Sequence, residues 1–404
     1  MVIRNNVLDL VRPFVGTDVI KVITGVRRSG KSVLLSQIRD LIVSEFDKDA
    51  PCFYLDLDDE ANAKYLQSGA LYAALESELA KHKNRKTYFF LDEVHDAVGW
   101  EKAVNSIRKR PNADVYVTGS NSKLLSGELA TYLTGRYVEF SLAPFSYAEF
   151  LEASNAQNSD EAFRIYLEFG GMPFLFELGY RSEPARRYLK DLYGAILLKD
   201  VVRRKQIRDV DLLNRIVRYV MTETSHVFSA RSIVDFLKSE HCVTAPATVL
   251  NYLKACEEAF LISKVEREDL IGKKILSVDE KYYAVDTGLR NANVAFNLSR
   301  DIEKLLETVV YTEMKRRGFA ITIGRVKGKE VDFVCEKNSE RVYIQVAYLM
   351  STEETRDREF SALRLVPDQF EKIVLSMDRF NFSQGGIKHR YLPDFLLGNS
   401  SAAI

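Results

Sequence analysis

The feature that most constrains the fold of this chain is the octapeptide Gly-Val-Arg-Arg-Ser-Gly-Lys-Ser at residues 25–32. It fills the pattern Gly, four free positions, Gly, Lys, then Ser or Thr, which is typical of a loop that wraps a phosphate group. A short apolar strand at 19–23 precedes the loop, and apolar residues recur after it at helical spacing. The alternative, a chance glycine-rich turn, does not explain this strand and helix. The sequence therefore predicts a nucleoside triphosphate site.

Each position of the loop has a predicted role. Lys31 reaches the outer phosphates, and Ser32 offers its hydroxyl to Mg²⁺. The helix that follows directs its positive N-terminus at the anion. The residues predicted to bind ATP are Gly25, Val26, Arg27, Arg28, Ser29, Gly30, Lys31 and Ser32.

A second apolar strand ends in two carboxylates. The run Thr-Tyr-Phe-Phe-Leu-Asp-Glu occupies residues 87–93. In a phosphate-loop enzyme the first carboxylate holds Mg²⁺ through water, and the second polarises the attacking water. Both groups are needed at the carboxyl end of a central strand, where ligands collect in an open α/β sheet. We therefore assign Asp92 to the metal and Glu93 to the water.

Two further positions are candidates for contact with the reacting phosphate. Ser120 and Asn121 follow an apolar strand and can hydrogen-bond the γ-phosphate or the attacking water; the alternative is a simple Gly-Ser-Asn turn. A helix is predicted over 122–133, and Arg136 then opens another strand. An arginine there can stabilise charge on a transferring phosphoryl group, usually in a neighbouring subunit. The alternative is a surface arginine that caps the end of a helix.

The order of elements indicates the fold class. Five strands, including one at 53–57, alternate with helices over residues 1–150. Such alternation predicts an α/β domain with a mostly parallel sheet covered on both faces.

Composition excludes some classes of protein. The 404 residues include 57 basic and 57 acidic side chains, so no whole-chain field attracts nucleic acid and any such surface must be local. The four cysteines lack metal or redox spacing, and no stretch approaches the ~18 apolar residues of a membrane span. We therefore expect a cytoplasmic protein with no membrane partner.

The motifs together resemble those of prokaryotic AAA-type ATPases of the archaeal-ATPase group. The resemblance rests on the run at 24–32, Leu-Asp-Glu at 91–93, Thr-Gly-Ser-Asn at 118–121, Gly135 with Arg136, and Gly-Gly-Met-Pro at 170–173. It covers the whole chain, because the C-terminal part also looks like the domain that this group carries. It implies AAA strand order, Ser120 and Asn121 at the first sensor, and Arg136 as the arginine finger of an oligomer.

Residues 151–280 carry helical patterns of two kinds. Residues 151–205, interrupted by the Gly-Gly-Met-Pro run, resemble the helical lid that follows an AAA core. Residues 206–280 give three helices and two strands in the order of a winged helix-turn-helix, whose third helix commonly enters the major groove of DNA. That helix would expose Thr248, Asn251 and Lys254, although such modules also serve as protein docking surfaces or spacers.

Residues 281–404 resemble the restriction-endonuclease-like fold, with a helix that bears Glu307, a strand that bears Asp332 and a next strand that bears Gln345. Active members bind Mg²⁺ through an Asp and a Glu and place a lysine two residues after the Glu. Here Gln345 is a poor ligand for a hard cation, and Ala347 stands at the lysine position. We therefore expect the fold without nuclease activity. The alternative is a buried polar cluster with Lys327 or Lys329 nearby.

Two functions from different classes follow. The first is a Mg²⁺-dependent ATPase, assembled as a homo-oligomer, that acts on DNA through its C-terminal domains. The second is a nucleotide-gated switch or scaffold whose accessory domains bind protein partners and not DNA.

Overall fold

The computed structural model describes residues 2–121, 135–272 and 274–398, with only the backbone described at 276–279. The chain divides into two compact units, residues 1–142 with 258–260 and residues 143–257 with 261–404. The helix predicted over 122–133 lies outside the described residues. Over the described part of the chain, every helix is too short or too polar to cross a membrane.

The first unit is built around a five-stranded sheet. Its strands are β1 Ile20–Thr24, β2 Cys52–Asp56, β3 Thr87–Asp92, β4 Ala113–Gly119 and β5 Tyr137–Ser141. Its helices are α1 Asn5–Val11, α2 Lys31–Glu45, α3 Ala70–Lys81 and α4 Trp100–Arg108. The strand order is β2-β3-β4-β1-β5. All four pairings are parallel, which confirms the predicted α/β class and the AAA strand order.

Alternate residues of the central strands pack on opposite faces of this sheet. Phe89 and Val115 contact a cluster that includes α3 and α4. Phe90 and Tyr116 contact a cluster that includes α1 and α2. Because side chains alternate along a strand, a sheet covered on both faces requires strands that are apolar throughout. This explains the uninterrupted burial of β1, β3 and β4.

The second unit contains a mixed eight-stranded sheet surrounded by helices. The helices are α5 Tyr147–Ser154, α6 Asp160–Phe169, α7 Ser182–Ala195, α8 Val210–Thr222, α9 Ala230–Ser239, α10 Pro246–Glu258, α11 Thr287–Asn293, α12 Leu298–Arg316, α13 Glu353–Leu365 and α14 Leu392–Leu396. The strands are β6 Val227–Phe228, β7 Ile262–Asp269, β8 Lys274–Ala284, β9 Ala320–Val326, β10 Lys329–Lys337, β11 Glu340–Val346, β12 Glu371–Ser376 and β13 Lys388–Tyr391. Their order is β13-β12-β11-β10-β9-β7-β8-β6.

The strands predicted as a wing are longer than expected and belong to this sheet. β8 runs on to Ala284, so the predicted boundary between residues 280 and 281 lies inside a strand. β7 pairs with β8 on one side and, in parallel, with β9 on the other. The strands of the second unit therefore form one sheet. The division of this unit into lid, winged-helix and restriction-endonuclease-like segments stays a prediction.

One helical segment of the second unit changes its winding along its length. It begins as α7 at Ser182 and changes after Ala195 into a π-helix at Ile196–Arg203. Sequence periodicity did not indicate this change, because one wider turn alters the spacing of side chains by a single residue.

Close backbone approaches explain the glycine-rich motif of the second unit. A β-carbon added to Gly288 would lie 1.9 Å from the carbonyl oxygen of Phe169, and a β-carbon added to Gly171 would lie 2.1 Å from the carbonyl oxygen of Phe145. Asp286 accepts hydrogen bonds from the backbone N–H of Gly171 at 2.7 Å and of Leu289 at 2.9 Å. Burial raises the pKa of Asp286 to about 6. The motif thus ends α6 and allows α11 to pack against it.

Candidate functional site

The carboxyl ends of three neighbouring strands bring the predicted nucleotide site together. Thr24 at the end of β1 pairs with Gly119 at the end of β4, and Leu91 on β3 pairs with Val117 on β4. The segments that follow these strands therefore start at the same edge of the sheet. They carry the phosphate-binding loop, the two carboxylates of 92–93 and the polar pair of 120–121.

The loop at 25–32 has the backbone that its glycines predict. Gly25 and Gly30 have φ angles of 150° and 97°, and Arg28 also has a positive φ of 66°. The β-carbon of any residue other than glycine at position 25 would lie 2.3 Å from the carbonyl oxygen of Leu142. Positive φ and this close contact both exclude larger side chains. Gly30 is the N-cap of α2, so the helix begins directly under the loop.

Lys31 lies inside the loop and meets the second carboxylate. Its side chain is 4% exposed, and its ammonium group donates hydrogen bonds to the carbonyl oxygens of Gly25 at 3.2 Å and Val26 at 3.4 Å. The Nζ atom of Lys31 is 3.5 Å from Oε1 of Glu93. The loop cation and the predicted water-activating carboxylate are therefore within direct electrostatic reach of each other.

Two hydroxyl groups hold Asp92, which is 1% exposed. The Tyr54 hydroxyl donates to Oδ2 of Asp92 at 2.9 Å, and the Thr118 hydroxyl donates to Oδ1. Burial, together with the charge of Asp92, raises the pKa of Tyr54 above its usual range, so the phenol stays a donor. Both oxygens of Asp92 are thus fixed by side chains of the strands on either side.

Thr118 also fixes the residue that follows. Its Oγ1 accepts a hydrogen bond from the backbone N–H of Glu93 at 2.9 Å. Glu93 has a left-handed backbone, with a φ of 48°, which is rare for a residue with a side chain. Such a conformation persists where its surroundings hold it, and it is common at functional sites. One hydroxyl therefore orients both members of the Asp92–Glu93 pair.

The donor groups of this edge suit a magnesium–nucleotide complex. The Ser29 hydroxyl is fully buried and has no hydrogen-bond partner, while Ser32 is exposed at the start of α2. A buried hydroxyl without a partner is costly unless a ligand completes it. Within the described ranges, no group of three or more His, Cys, Asp or Glu side chains is arranged to hold a metal. Mg²⁺ commonly needs only one or two protein ligands, because phosphates and water supply the others.

The remaining predicted residues of the first unit lie at two places. Ser120 and Asn121 are buried, at 0% and 2% exposed, and follow β4 at the same edge as the loop. Arg136 is exposed and precedes β5, and its carbonyl oxygen accepts a hydrogen bond from the backbone N–H of Ile20. Because β5 and β1 are parallel, Arg136 lies at the opposite edge from the loop of its own chain.

In the second unit, Glu307 and Asp332 belong to a buried polar cluster. Glu307 on α12 accepts a hydrogen bond from the Tyr283 hydroxyl at 3.0 Å. Asp332 accepts one from the backbone N–H of Val346 at 2.8 Å and lies where the β9–β10 register shifts. Such bulges re-aim side chains and are frequent beside active sites. Gln345 accepts only a long hydrogen bond of 3.4 Å from the backbone N–H of Asp332.

The cation of this cluster is Lys281 of β8. Its Nζ atom lies 3.4 Å from Glu307 and 2.6 Å from Glu330, and the side chain is 3% exposed. Burial raises the pKa of Glu307 and of Asp332, and the charge of Glu307 adds to the effect on Asp332. Burial alone would lower the pKa of Lys281, but the surrounding carboxylates together raise it. The lysine is therefore charged, and the carboxylates outnumber it.

Lys281 corrects the expectation that Lys327 or Lys329 accompanies these carboxylates. The Lys329 ammonium donates instead to the Ser361 hydroxyl at 2.7 Å.

Sequence reasoning also missed Tyr54 and Thr118, which hold Asp92. The sequence signal for such residues is a hydroxyl side chain on a strand next to the strand that bears the carboxylate. Using this signal requires knowledge of the register of the sheet.

Comparison with known proteins gives two family matches. Residues 17–151 match the family described as an AAA domain. Residues 160–301 match a domain of unknown function, DUF8612. Both matches agree with the division of the chain into an ATPase-like first unit and a separate second unit.

Relatives extend the similarity along the whole chain. An uncharacterized protein of Haemophilus influenzae is 34% identical over 405 residues, which cover 98% of this chain and 99% of the relative. An uncharacterized protein of Methanocaldococcus jannaschii is 29% identical, over 90% of this chain and 80% of the relative. Among solved structures, the chain is similar to the Aeropyrum pernix Orc1 protein in complex with DNA, with 12% identity and a TM-score of 0.33, over 72% of this chain and 92% of that one.

Proposed function

We propose that this chain, a member of the AAA-type ATPases, binds ATP with Mg²⁺ at residues 25–32 and hydrolyses it. Its family includes the Haemophilus influenzae relative. The observation that carries the proposal is the approach of Lys31 in the loop to Glu93 after β3, with 3.5 Å between Nζ and Oε1. A cation for the phosphates and a carboxylate for the attacking water at one edge of the sheet are what the proposed reaction requires.

Each residue of this edge has a distinct task. The backbone N–H groups of the loop bind phosphate oxygens, and Lys31 exchanges Glu93 for the outer phosphates when the nucleotide enters. Glu93, released from Lys31, accepts the proton of the attacking water as a general base. Ser120 and Asn121, buried beside β1, orient that water or the γ-phosphate. Tyr54 and Thr118 keep the carboxylates in place.

Ser32 and Asp92 would hold the magnesium ion. When bound, Mg²⁺ neutralises charge on the phosphates and orients them. The hydroxyl groups of Tyr54 and Thr118 hold both carboxylate oxygens of Asp92 in position. The Ser29 hydroxyl, buried within the loop and without a hydrogen-bond partner, is a further donor close to this site.

Replacing Lys31 by Ala tests the proposal. Without the ammonium group, we expect ATP affinity to fall at least about tenfold, since a charge-assisted contact is worth about 1.5–3 kcal/mol. Fluorescent-nucleotide titration in the presence of Mg²⁺ measures this directly. Lys48→Ala, which removes an exposed lysine of the same unit, is the matched control. Unchanged affinity in Lys31→Ala would refute the site.

We further propose that hydrolysis is assembled between subunits, with Arg136 acting on the nucleotide of a neighbour. The support is its exposed position at the edge opposite its own loop, together with the resemblance to AAA-type ATPases. Each of Arg136→Ala and Lys31→Ala alone should be inactive, because each lacks one half of the shared site. Mixing the two should restore part of the activity. A rate per chain that does not depend on protein concentration, in a monomeric particle, would contradict the idea.

We propose that the second unit contacts DNA but does not cut it. Support for contact comes from α10, on which Asn251 and Lys254 are exposed, whereas Thr248, also predicted on this face, is half-buried. Cleavage is disfavoured because Gln345 and Ala347 stand where active members of the resembled fold have a carboxylate and a lysine. The alternative is a nucleotide-gated switch that binds a protein partner.

Labelled single-stranded, duplex and branched DNA, incubated with the protein and Mg²⁺ or Mn²⁺, distinguishes these functions. We expect mobility shifts that weaken with salt and no cleavage. Cleavage that disappears in both Asp332→Ala and Lys281→Met would show an active nuclease. Failure to shift any DNA at low salt, with no stimulation of ATP hydrolysis by DNA, would favour the protein switch.

A further inference from the structure

Two basic runs lie immediately before neighbouring strands of the first unit. Lys-His-Lys-Asn-Arg-Lys occupies 81–86, and β3 begins at Thr87. Arg-Lys-Arg occupies 108–110, and β4 begins at Ala113. Thr87 and Ala113 are paired in parallel register. The fold therefore collects both runs at the amino ends of the strands, on the edge opposite the phosphate-binding loop.

These cations line an open cavity of about 440 Å³, which we name the rear-edge pocket. Its lining consists of Gly16, Asp18, Lys86, Arg108, Lys109, Arg110, Pro111 and Ala113. Four lining residues are basic and one is acidic. This volume is within the range of small-molecule sites, about 300–1,000 Å³. The whole chain is electrically neutral, so the positive charge here is a local property of the fold.

The positive charge is only partly compensated. Arg108 pairs with Asp18 at 3.0 Å, and Arg110 pairs with Glu76 at 2.7 Å. In the part of the chain that the structure describes, Lys86 and Lys109 form no ion pair, and Lys86 donates to the carbonyl oxygen of Gly16. The four cations and two acidic partners leave a net charge of about +2 at neutral pH.

Arg108 is held against this edge of the sheet. Its side chain is 12% exposed and lines the pocket, and its pairing with Asp18 fixes the guanidinium group. A guanidinium group carries five N–H donors, so one acidic partner does not use all of them. The helix dipole accounts for a basic residue at the C-terminal end of α4. It does not account for the basic side chain of Lys86, which lies directly before β3.

The floor of this edge is rigid enough to keep a preformed site. Lys21 and Asp114 form a fully buried ion pair at 2.5 Å. Asp114 also accepts hydrogen bonds from the backbone N–H of Gly16 at 2.7 Å and from the Tyr116 hydroxyl at 3.0 Å. Gly16, one wall of the pocket, is therefore tied to β4.

We propose that the rear-edge pocket binds phosphate groups, either those of a nucleic-acid backbone or those of a free polyphosphate. Guanidinium and ammonium groups from the segments that precede two neighbouring strands provide the bidentate and point-charge contacts that phosphate oxygens accept. A carboxylate ligand would use the same charges, but the pocket is wide and polar enough for larger tetrahedral groups. The site is separate from residues 25–32 and lies at the other edge of the sheet.

The test uses the full chain with Lys31→Ala, so that the phosphate-binding loop does not contribute. A labelled single-stranded oligonucleotide is followed by fluorescence anisotropy, and tripolyphosphate by calorimetry. Lys86→Glu with Lys109→Glu is compared with Lys64→Glu with Lys190→Glu, which changes the net charge equally at exposed lysines outside the pocket. Lys109→Glu alone, at an exposed position, guards against misfolding of the double variant.

We expect the pocket variant to bind at least about tenfold more weakly, with the control unchanged. For DNA, the slope of log K against log salt should fall by about 1.4, since each lost contact with single-stranded DNA contributes about 0.7. Loss of oligonucleotide binding alone identifies a nucleic-acid backbone, and loss of tripolyphosphate binding alone identifies a free polyphosphate. Absence of binding by the Lys31→Ala chain, or equal losses in both double variants, would overturn the proposal.

Discussion

Replacing Glu93 by Gln should slow ATP hydrolysis by about 10²–10³-fold while ATP binding is retained or strengthened. The amide cannot accept the proton of the attacking water, and general-base catalysis is typically worth about 10²–10⁴ in rate. Binding should not weaken, because the substitution removes a negative charge 3.5 Å from Lys31 and frees this cation for phosphate. Single-turnover hydrolysis and nucleotide titration measure the two effects separately.

Glu183→Gln is the matched control for this experiment. Glu183 is exposed at the start of α7, in the second unit, and belongs to no ion pair within the described residues. The same change from carboxylate to amide should therefore leave hydrolysis within about twofold of the unmodified rate. A Glu93→Gln protein that hydrolyses ATP at the unmodified rate would show that another group activates the water.

Replacing Gly288 by Ala should destabilise the second unit by at least about 3 kcal/mol, the upper part of the range for overpacked cores. The added β-carbon would lie 1.9 Å from the carbonyl oxygen of Phe169, and backbone cannot move aside as a side chain can. Denaturant unfolding followed by circular dichroism measures the loss. Trp100, the chain's single tryptophan, lies in the first unit, and its fluorescence reports that unit's unfolding.

Gly194→Ala provides the opposite expectation within the same unit. Position 194 lies inside α7, and an added β-carbon meets no atom within 4 Å. Because alanine is favoured over glycine by about 0.5–1 kcal/mol inside a helix, this variant should be slightly more stable. If both variants unfold at the same denaturant concentration, the close packing of α11 on α6 does not exist in solution.

The meeting of the loop and the two carboxylates at one edge of the sheet was predictable, because each motif is contiguous in the sequence. The loop at 25–32 and the pair Asp92–Glu93 are each a short run with an obligatory strand beside it. Those runs also required the strands to be parallel and central, so the α/β class followed. Strand order came from the family resemblance, since spacing alone does not determine which strands are neighbours.

The supporting residues were not predictable in the same way. Tyr54 reaches Asp92 only because β2 pairs with β3 in the register that sets Asp56 opposite Asp92. Lys281 reaches Glu307 from β8, a strand that the predicted boundary between residues 280 and 281 divides. Both contacts depend on register between segments far apart in the chain. Register is set by the packing of whole faces, which a short sequence window does not contain.

The pairing of β7 with both β8 and β9 limits how this chain can be divided or inherited. A shortened protein that ends near residue 280 would keep β7 but lose β9, its parallel neighbour. The backbone N–H and carbonyl groups of Arg267, Glu268 and Asp269 would then form an open sheet edge. Such an edge recruits strands from other molecules and promotes aggregation. We therefore expect the segments of the second unit to be exchanged between proteins in evolution only as one piece.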